Sequence, residues 1–156
     1  MKQKNHPGVY LPPPLVYVAF FFLSIFIQNN IPINANWQNT IQANVIGWIL
    51  IIISGLFIVS ALQRFITSRN TLITIRPAKS LQTNGIYSIT RNPMYLGLLL
   101  LYSGIATFRG NWWTFILIPL LVIVLQSYVI RNEELYLNRA FGEEFEAYRK
   151  KVRRWI

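Results

Sequence analysis

The residues best suited to chemistry fall in two places: Gly85-Ile86-Tyr87 followed by Arg91-Asn92-Pro93-Met94-Tyr95-Leu96-Gly97, and the adjacent acids Glu133-Glu134. The acids end an apolar run of about 19 residues on a side of the chain that is otherwise basic, and carboxylates at that depth are uncommon without a partner. They either pair with Arg91 or Arg131, or they form an anionic site for a cation brought from solution. Neighbouring helical positions point about 100° apart, so the two carboxylates cannot serve one small site equally and one of them faces the bundle. Taken singly, the other residues have plainer uses. Asn92-Pro93 is a good helix start, because Asn accepts from the free amides of the first turn and Pro is tolerated at the first helical position. Arg91 suits a headgroup anchor, Tyr87 and Tyr95 suit an aromatic belt, and Gly97 and Gly104, seven apart on one face, suit helix packing.

The elements that must position these residues are membrane helices. A chain of 156 residues is read as one unit over 1–156, with the motif-bearing half at 85–156, and a composition 53% hydrophobic and only 13% charged is too apolar for a soluble fold. An all-α, multi-pass bundle of about four spans follows. Without cysteine there is no disulfide, thiolate nucleophile or Cys-based metal site, and the single His6 lies in a polar leader, so no metal is expected.

The first span runs from Leu15 to Ile27, placed after Pro12-Pro13-Pro14 because three prolines cannot sit inside a helix. No small-x-small cleavage site follows it, so it reads as retained. Gln28 to Asn44 is an uncharged loop with Trp37 as interfacial anchor. Val45 to Leu62 is the second span, with Gly47, Ser54 and Gly55 allowing close helix approach. Gln63 to Thr90 holds an extended strip, Thr71 to Ile75, and a turn at Asn84-Gly85. Pro93 to Phe108 and Trp112 to Ile130 are spans three and four, joined by Arg109-Gly110-Asn111 as an antiparallel hairpin, with Pro119 kinking the fourth. From Arg131 the tail reads as helix, with a second segment from about Gly142. Its apolar stripe of Phe141, Phe145, Tyr148, Val152 and Trp155 is expected to lie on the membrane surface or fold back over the bundle.

The net charge is +10, yet the basic residues cluster beside apolar spans, where they contact anionic lipid headgroups, so membrane lipids and not nucleic acid are the expected partners. Oligomeric state leaves no trace in the sequence.

The two chemical stretches resemble the signature of the integral membrane methyltransferases that include isoprenylcysteine carboxyl methyltransferase and the phospholipid methyltransferases. There a Gly-x-Tyr and Arg-His-Pro-x-Tyr-x-Gly precede a helix ending in Glu-Glu; here Asn92 stands in place of His. The similarity continues through Phe141-Gly142-Glu143-Glu144-Phe145, Tyr148-Arg149 and Val152-Arg153-Arg154-Trp155, about the last half of the chain. The resemblance implies methyl transfer from S-adenosylmethionine to a lipid-borne or hydrophobic acceptor. It implies that Glu133 or Glu134 holds the donor's ammonium and that Arg91 and the amides opening the third helix face its carboxylate. Tyr87, Tyr95, Gly97 and the aromatic tail would shape the donor pocket, and Arg91, Asn92 and Glu134 would carry catalysis. Asn can replace a histidine that acts through a hydrogen bond, but not one that moves a proton. A prenylcysteine carboxylate, a phospholipid amine and a small thiol all remain open as acceptors. The alternative from another class is a non-catalytic membrane protein whose basic tail binds anionic lipid or a partner.

Fourteen of the fifteen Lys and Arg residues fall on one side of the four-span arrangement and only Arg109 on the other, so both termini and the 63–90 loop are expected to be cytoplasmic. Cysteines introduced at Asn36 and Thr83 report on this with an impermeant thiol reagent. Intact cells are expected to label Asn36→Cys alone, and labelling of Thr83→Cys alone would reverse the orientation.

Overall fold

The computed structural model describes residues 7–34, 36, 37, 39–68, 78 and 80–156. Lys2, Lys4, His6, Arg69, the Thr71 to Ile75 strip, Arg76 and Lys79 lie outside the described residues. All regular structure among the described residues is helical: α1 Pro13–Asn30, α2 Ile41–Thr67, a 3-10 turn Gly85–Ser88, α3 Pro93–Arg109, α4 Trp112–Ile116, α5 Ile118–Val124, a π segment Leu125–Ile130, α6 Arg131–Phe141 and α7 Glu143–Lys151. Among the described residues, three helices are long and apolar enough to cross a membrane: α1, α2 and the continuous stretch Trp112–Phe141. The 17 residues of α3 make it shorter than these, and it packs along α2. The expected count of about four is therefore three by length plus α3. Phe22, Phe26, Trp48, Ile52, Leu56 and Ile123 turn outward, which suits a lipid belt and would be costly in water.

Several boundaries differ from those expected. α1 takes Pro13 and Pro14 into its first turn, where the missing N–H would have no intrahelical partner anyway. α2 starts at Ile41 because the Thr40 hydroxyl accepts from the Ala43 N–H, and it runs on through Arg64 to Thr67. The fourth helix does break near Pro119: α4 ends at Ile116, and Leu117 links it to α5, where Pro119 occupies the first turn. The tail does divide at Gly142, which at φ +49° separates α6 from α7, but the helix stops short of the stripe's end: Val152 is already extended.

Packing between α2 and α3 rests on small residues, since in lipid there is no hydrophobic force to drive helices together. A Cβ on Gly97 would lie 2.7 Å from Ile58 Cγ1 and 3.2 Å from the Ser54 carbonyl, and one on Gly104 would lie 3.1 Å from the Gly47 carbonyl. Gly47 and Ser54 thus do allow the close approach expected of them, whereas Gly55 faces open space.

Two apolar clusters flank this pair. In one, Val9, Val16, Tyr17 and Tyr102 meet Leu121, Leu125 and Val129. In the other, Phe145, Tyr148 and Val152 of the tail fold back onto Ala61 and Tyr87. The π segment lies between α5 and the acids. Its i→i+5 bonding brings residues five apart towards one face, and Leu125, Val129 and Ile130 are all fully buried.

Gly97→Val is expected to lower the thermal transition in detergent by an amount equivalent to about 1–3 kcal/mol, the usual cost of forcing extra methyl groups into a packed contact. Gly55→Ala is expected to be neutral or slightly stabilising. Equal transitions for the two variants would mean that the α2–α3 contact does not depend on a bare backbone.

Candidate functional site

The turn before α3 sets the site. Gly85 has φ +66°, a left-handed conformation that suits Gly, and it lies against the Arg64 guanidinium. The 3-10 turn that follows buries Tyr87, whose carbonyl accepts from the Tyr148 hydroxyl at 2.6 Å. Burial raises the hydroxyl pKa of both tyrosines, that of Tyr148 to about 12 despite the opposing pull of Arg91.

Asn92 is not the helix cap that Asn-Pro suggests: its side chain makes no capping bond to α3. Its Nδ2 donates instead to the Arg154 carbonyl at 2.9 Å, where the Thr90 hydroxyl also donates at 3.0 Å. The Arg91 N–H donates to the Arg153 carbonyl at 3.0 Å. The extended residues after α7 therefore form a strap bonded along Thr90-Arg91-Asn92. The Asn92 side chain is thus turned to a long-range carbonyl and away from the first turn of α3.

The strap also carries charge. Arg154 donates from Nε to Glu134 Oε1 at 3.0 Å and from Nη2 to Oε2 at 2.6 Å, and Arg91 Nη1 lies 3.1 Å from Glu134 Oε1. Side chains of Arg91 and Glu134 are only 10% and 13% exposed, so this ion pair is shielded from solvent. Burial lowers the Arg91 pKa while Glu134 opposes it, and the hydrogen bond to Glu134 raises that of Arg154 against its own burial. The 3.1 Å approach of Arg91 is an ion pair without a hydrogen bond, because the N–H direction misses the oxygen. Arg91 Nε and Nη1 are both buried with no acceptor among the described residues.

Glu133 points elsewhere. It accepts from the Tyr95 hydroxyl at 2.7 Å, and the Tyr95 carbonyl in turn accepts from the Tyr17 hydroxyl at 2.7 Å, tying α6, α3 and α1 together. The two acids thus divide as the helical geometry demands, Glu134 to arginines and Glu133 to a tyrosine.

A cavity of about 470 Å³ gathers Tyr87, Arg91, Asn92, Tyr95, Glu133 and Glu134 on its walls. Gly97, also expected at the site, is not among the lining residues and packs against α2 instead. Phe145 and Tyr148 come from the aromatic tail, as expected of it. Sequence reading missed the rest of the enclosure: Val9 and Pro12 to Pro14 close one side, and Phe65, Met94, Leu98 and Ile130 supply apolar wall. It also missed the roles of Arg154 and Thr90. The one available signal was an Arg beside Trp155 at the end of an apolar stripe. The Tyr136 hydroxyl accepts from the Ala78 N–H at 2.8 Å, bringing part of the α2–α3 connection to the same place.

The family profile described as phospholipid methyltransferase matches residues 43–144, which include the motif, both acids and the cavity's central walls. The chain is 39% identical over 72 residues to the protein-S-isoprenylcysteine O-methyltransferase of Schizosaccharomyces pombe, covering 46% of this chain and 30% of the relative. It is 31% identical over 111 residues to the methanethiol S-methyltransferase of Pseudomonas deceptionensis, covering 69% of this chain and 40% of the relative. An uncharacterised protein of Haemophilus influenzae is 36% identical over 63 residues, 40% of this chain and all of that protein. The matches thus span well under half the length of the two relatives with named activities. No solved structure matches. With the motif, the acid pair and the cavity in one place and the family profile covering well over half of the sequence, the chain belongs to the phospholipid methyltransferase family.

Proposed function

We propose that this protein transfers a methyl group from S-adenosylmethionine to a hydrophobic or lipid-borne acceptor, an isoprenylcysteine-type carboxylate or similar, at the cytoplasmic membrane face. The observation that carries the reading is one cavity of about 470 Å³, within the range of small-molecule sites, that holds a carboxylate and a guanidinium with spare donors among apolar walls. That set of groups matches the donor's amino acid end: among the described residues, Arg91 has two buried nitrogens, Nε and Nη1, that lack an acceptor, and Glu133 is the acid of the pair that no arginine holds. Bound there, S-adenosylmethionine supplies an electrophilic methyl on a sulfonium, open to direct displacement.

Every other part of the work falls to the chain. Arg91 grips a carboxylate with its planar fork, and the Asn92 and Arg153 contacts fix the backbone from which it extends. Glu133, oriented by Tyr95, accepts from an ammonium. Tyr87, Phe65, Met94, Leu98 and Ile130 offer apolar wall to an adenosine ring and to the acceptor's hydrocarbon part, and they keep water from an anionic nucleophile whose charge is neutralised as the methyl moves. Holding both reactants in line contributes up to about 7–11 kcal/mol of barrier lowering without a covalent enzyme intermediate. The named relatives support an apolar acceptor bearing a nucleophilic O or S atom, by the isoprenylcysteine and methanethiol in their names. A phospholipid amine is the alternative within the enzyme class. A tail that only bound anionic lipid would leave the cavity and the spare donors of Arg91 without a use.

Calorimetry on the purified protein in detergent is expected to show S-adenosylmethionine binding, and its absence would return the chain to the non-catalytic reading. Given binding, transfer of labelled methyl to prenylcysteine, thiol and phospholipid acceptors tells the three classes apart.

Glu133→Gln keeps shape and removes charge. It is expected to weaken donor affinity by roughly 10- to 150-fold, the value of a charge-assisted hydrogen bond in a partly buried site. Arg91→Lys is expected to be harmful too, since an ammonium cannot reproduce the fork. Near-native donor affinity in Glu133→Gln would leave that acid as a partner of Tyr95 in the fold and nothing more.

A further inference from the structure

The two guanidinium groups at Glu134 are not equivalent. Arg154 uses both carboxylate oxygens, with Nε on Oε1 at 3.0 Å and Nη2 on Oε2 at 2.6 Å. Arg91 comes within 3.1 Å of Oε1 but makes no hydrogen bond there, and its Nε and Nη1 stay without an acceptor among the described residues. Buried donors left idle are costly, so an arrangement that leaves them so needs a reason. Nothing in the sequence separation forbids the opposite choice, in which Glu134 would take the Arg91 fork and Arg154 would reach out to solvent. Arg154 is the more exposed of the two, 41% against 10% for its side chain.

We infer that Arg154 is a positioning residue: by occupying both oxygens of Glu134 it keeps that carboxylate from capturing Arg91, and so leaves the Arg91 donors for the carboxylate of a bound ligand. Arg154 does not line the cavity, so it acts through Glu134 and Arg91 and not on the ligand itself. The strap makes the arrangement a unit. The same two residues whose side chain and carbonyls reach across, Arg153 and Arg154, accept from the Arg91 N–H, the Thr90 hydroxyl and the Asn92 amide. The backbone of Arg91 is thus fixed by the segment whose next side chain neutralises its competitor. Without Arg154, Glu134 keeps Arg91 as its one ion-pair partner among the described residues and is nearly buried. It then turns its second oxygen to Arg91, and the fork is used up within the protein.

This inference rests on the donor-binding reading, and the experiment separates the two. The probe is S-adenosylhomocysteine, which keeps the amino acid end of the donor, titrated calorimetrically into the full-length protein in detergent. No binding to the wild type overturns the donor-binding reading and the inference with it. Given binding, Arg154→Ala is expected to lose about tenfold or more in affinity, the scale of one charge-assisted hydrogen bond. Arg154→Ala combined with Glu134→Gln is expected to regain most of that loss, because a neutral amide does not hold Arg91. A strap that only braced the tail would predict a double variant no better than the single one. Unchanged affinity in Arg154→Ala, or no recovery in the double variant, overturns the inference alone. Should Arg154→Ala lose its thermal transition, Arg154→Lys takes its place in the same pair of titrations, with a smaller loss and the same recovery expected.

Discussion

The structure turns on a carboxylate that cannot be left alone. Glu134 lies in α6 just past the apolar part of the continuous helix Trp112–Phe141, its side chain is only 13% exposed, and an unpaired charge there would carry a desolvation penalty of several kcal/mol. Two arginines resolve this, one from the segment before α3 and one from the end of the chain. Three segments far apart in sequence therefore meet at one point. Replacing such a cluster by apolar residues would often be no less stable, so its worth lies in where it puts things. It sets Arg91 at the cavity wall and lays the last residues across the turn that opens α3.

The rest of the bundle supplies the distances. Gly97 and Gly104 bring α3 against the backbone of α2, which fixes where the Arg91-Asn92-Pro93 start of α3 emerges. The π segment then sets the phase of the fourth long helix just before the acids. In a regular α-helix, positions five apart diverge by about 140°, yet Leu125 and Ile130 are both fully buried. With that change of phase, Glu133 meets Tyr95 on α3 while Glu134 meets the arginines. Small residues on one helix and one irregular turn on another thus decide which acid faces which partner.

Patterns that are local in sequence were legible, and pairings that span the chain were not. Apolar runs located the helices, the Arg91 to Gly97 stretch and the acid pair pointed to the residues that line the cavity, and the 100° helical step required the two acids to part company. Asn92 misled because Asn-Pro is a strong local signal, whereas its partner is a carbonyl 62 residues further on. Gly97 was drawn to the pocket by its place in the motif, although a glycine seven residues from another on one face already had a packing use. The basic run from Arg149 reads as dipole complement and headgroup contact. Nothing in it distinguishes Arg154 from its neighbours until the fold brings Glu134 to meet it. The wall made by Val9 and Pro12 to Pro14 was hidden for the same reason, since a proline run announces a helix start and not what it closes.

The bonding of Asn92 bears on the kind of acceptor the proposed reaction can use. Its amide donates to the Arg154 carbonyl, and an amide neither takes up nor gives a proton near neutral pH, so position 92 serves as a tie and not as a base. The acceptor's proton, where it has one, must then leave by another route. A carboxylate arrives already deprotonated and needs only alignment and a dry cavity. A thiol or an ammonium needs a base, and the cavity acid outside the arginine cluster is Glu133, which the same reading assigns to the donor. One group cannot hold an ammonium and accept a proton from the nucleophile at once. On chemical grounds the proposed site therefore favours an acceptor that reaches it as an anion, and the apolar walls favour one that brings its own hydrocarbon.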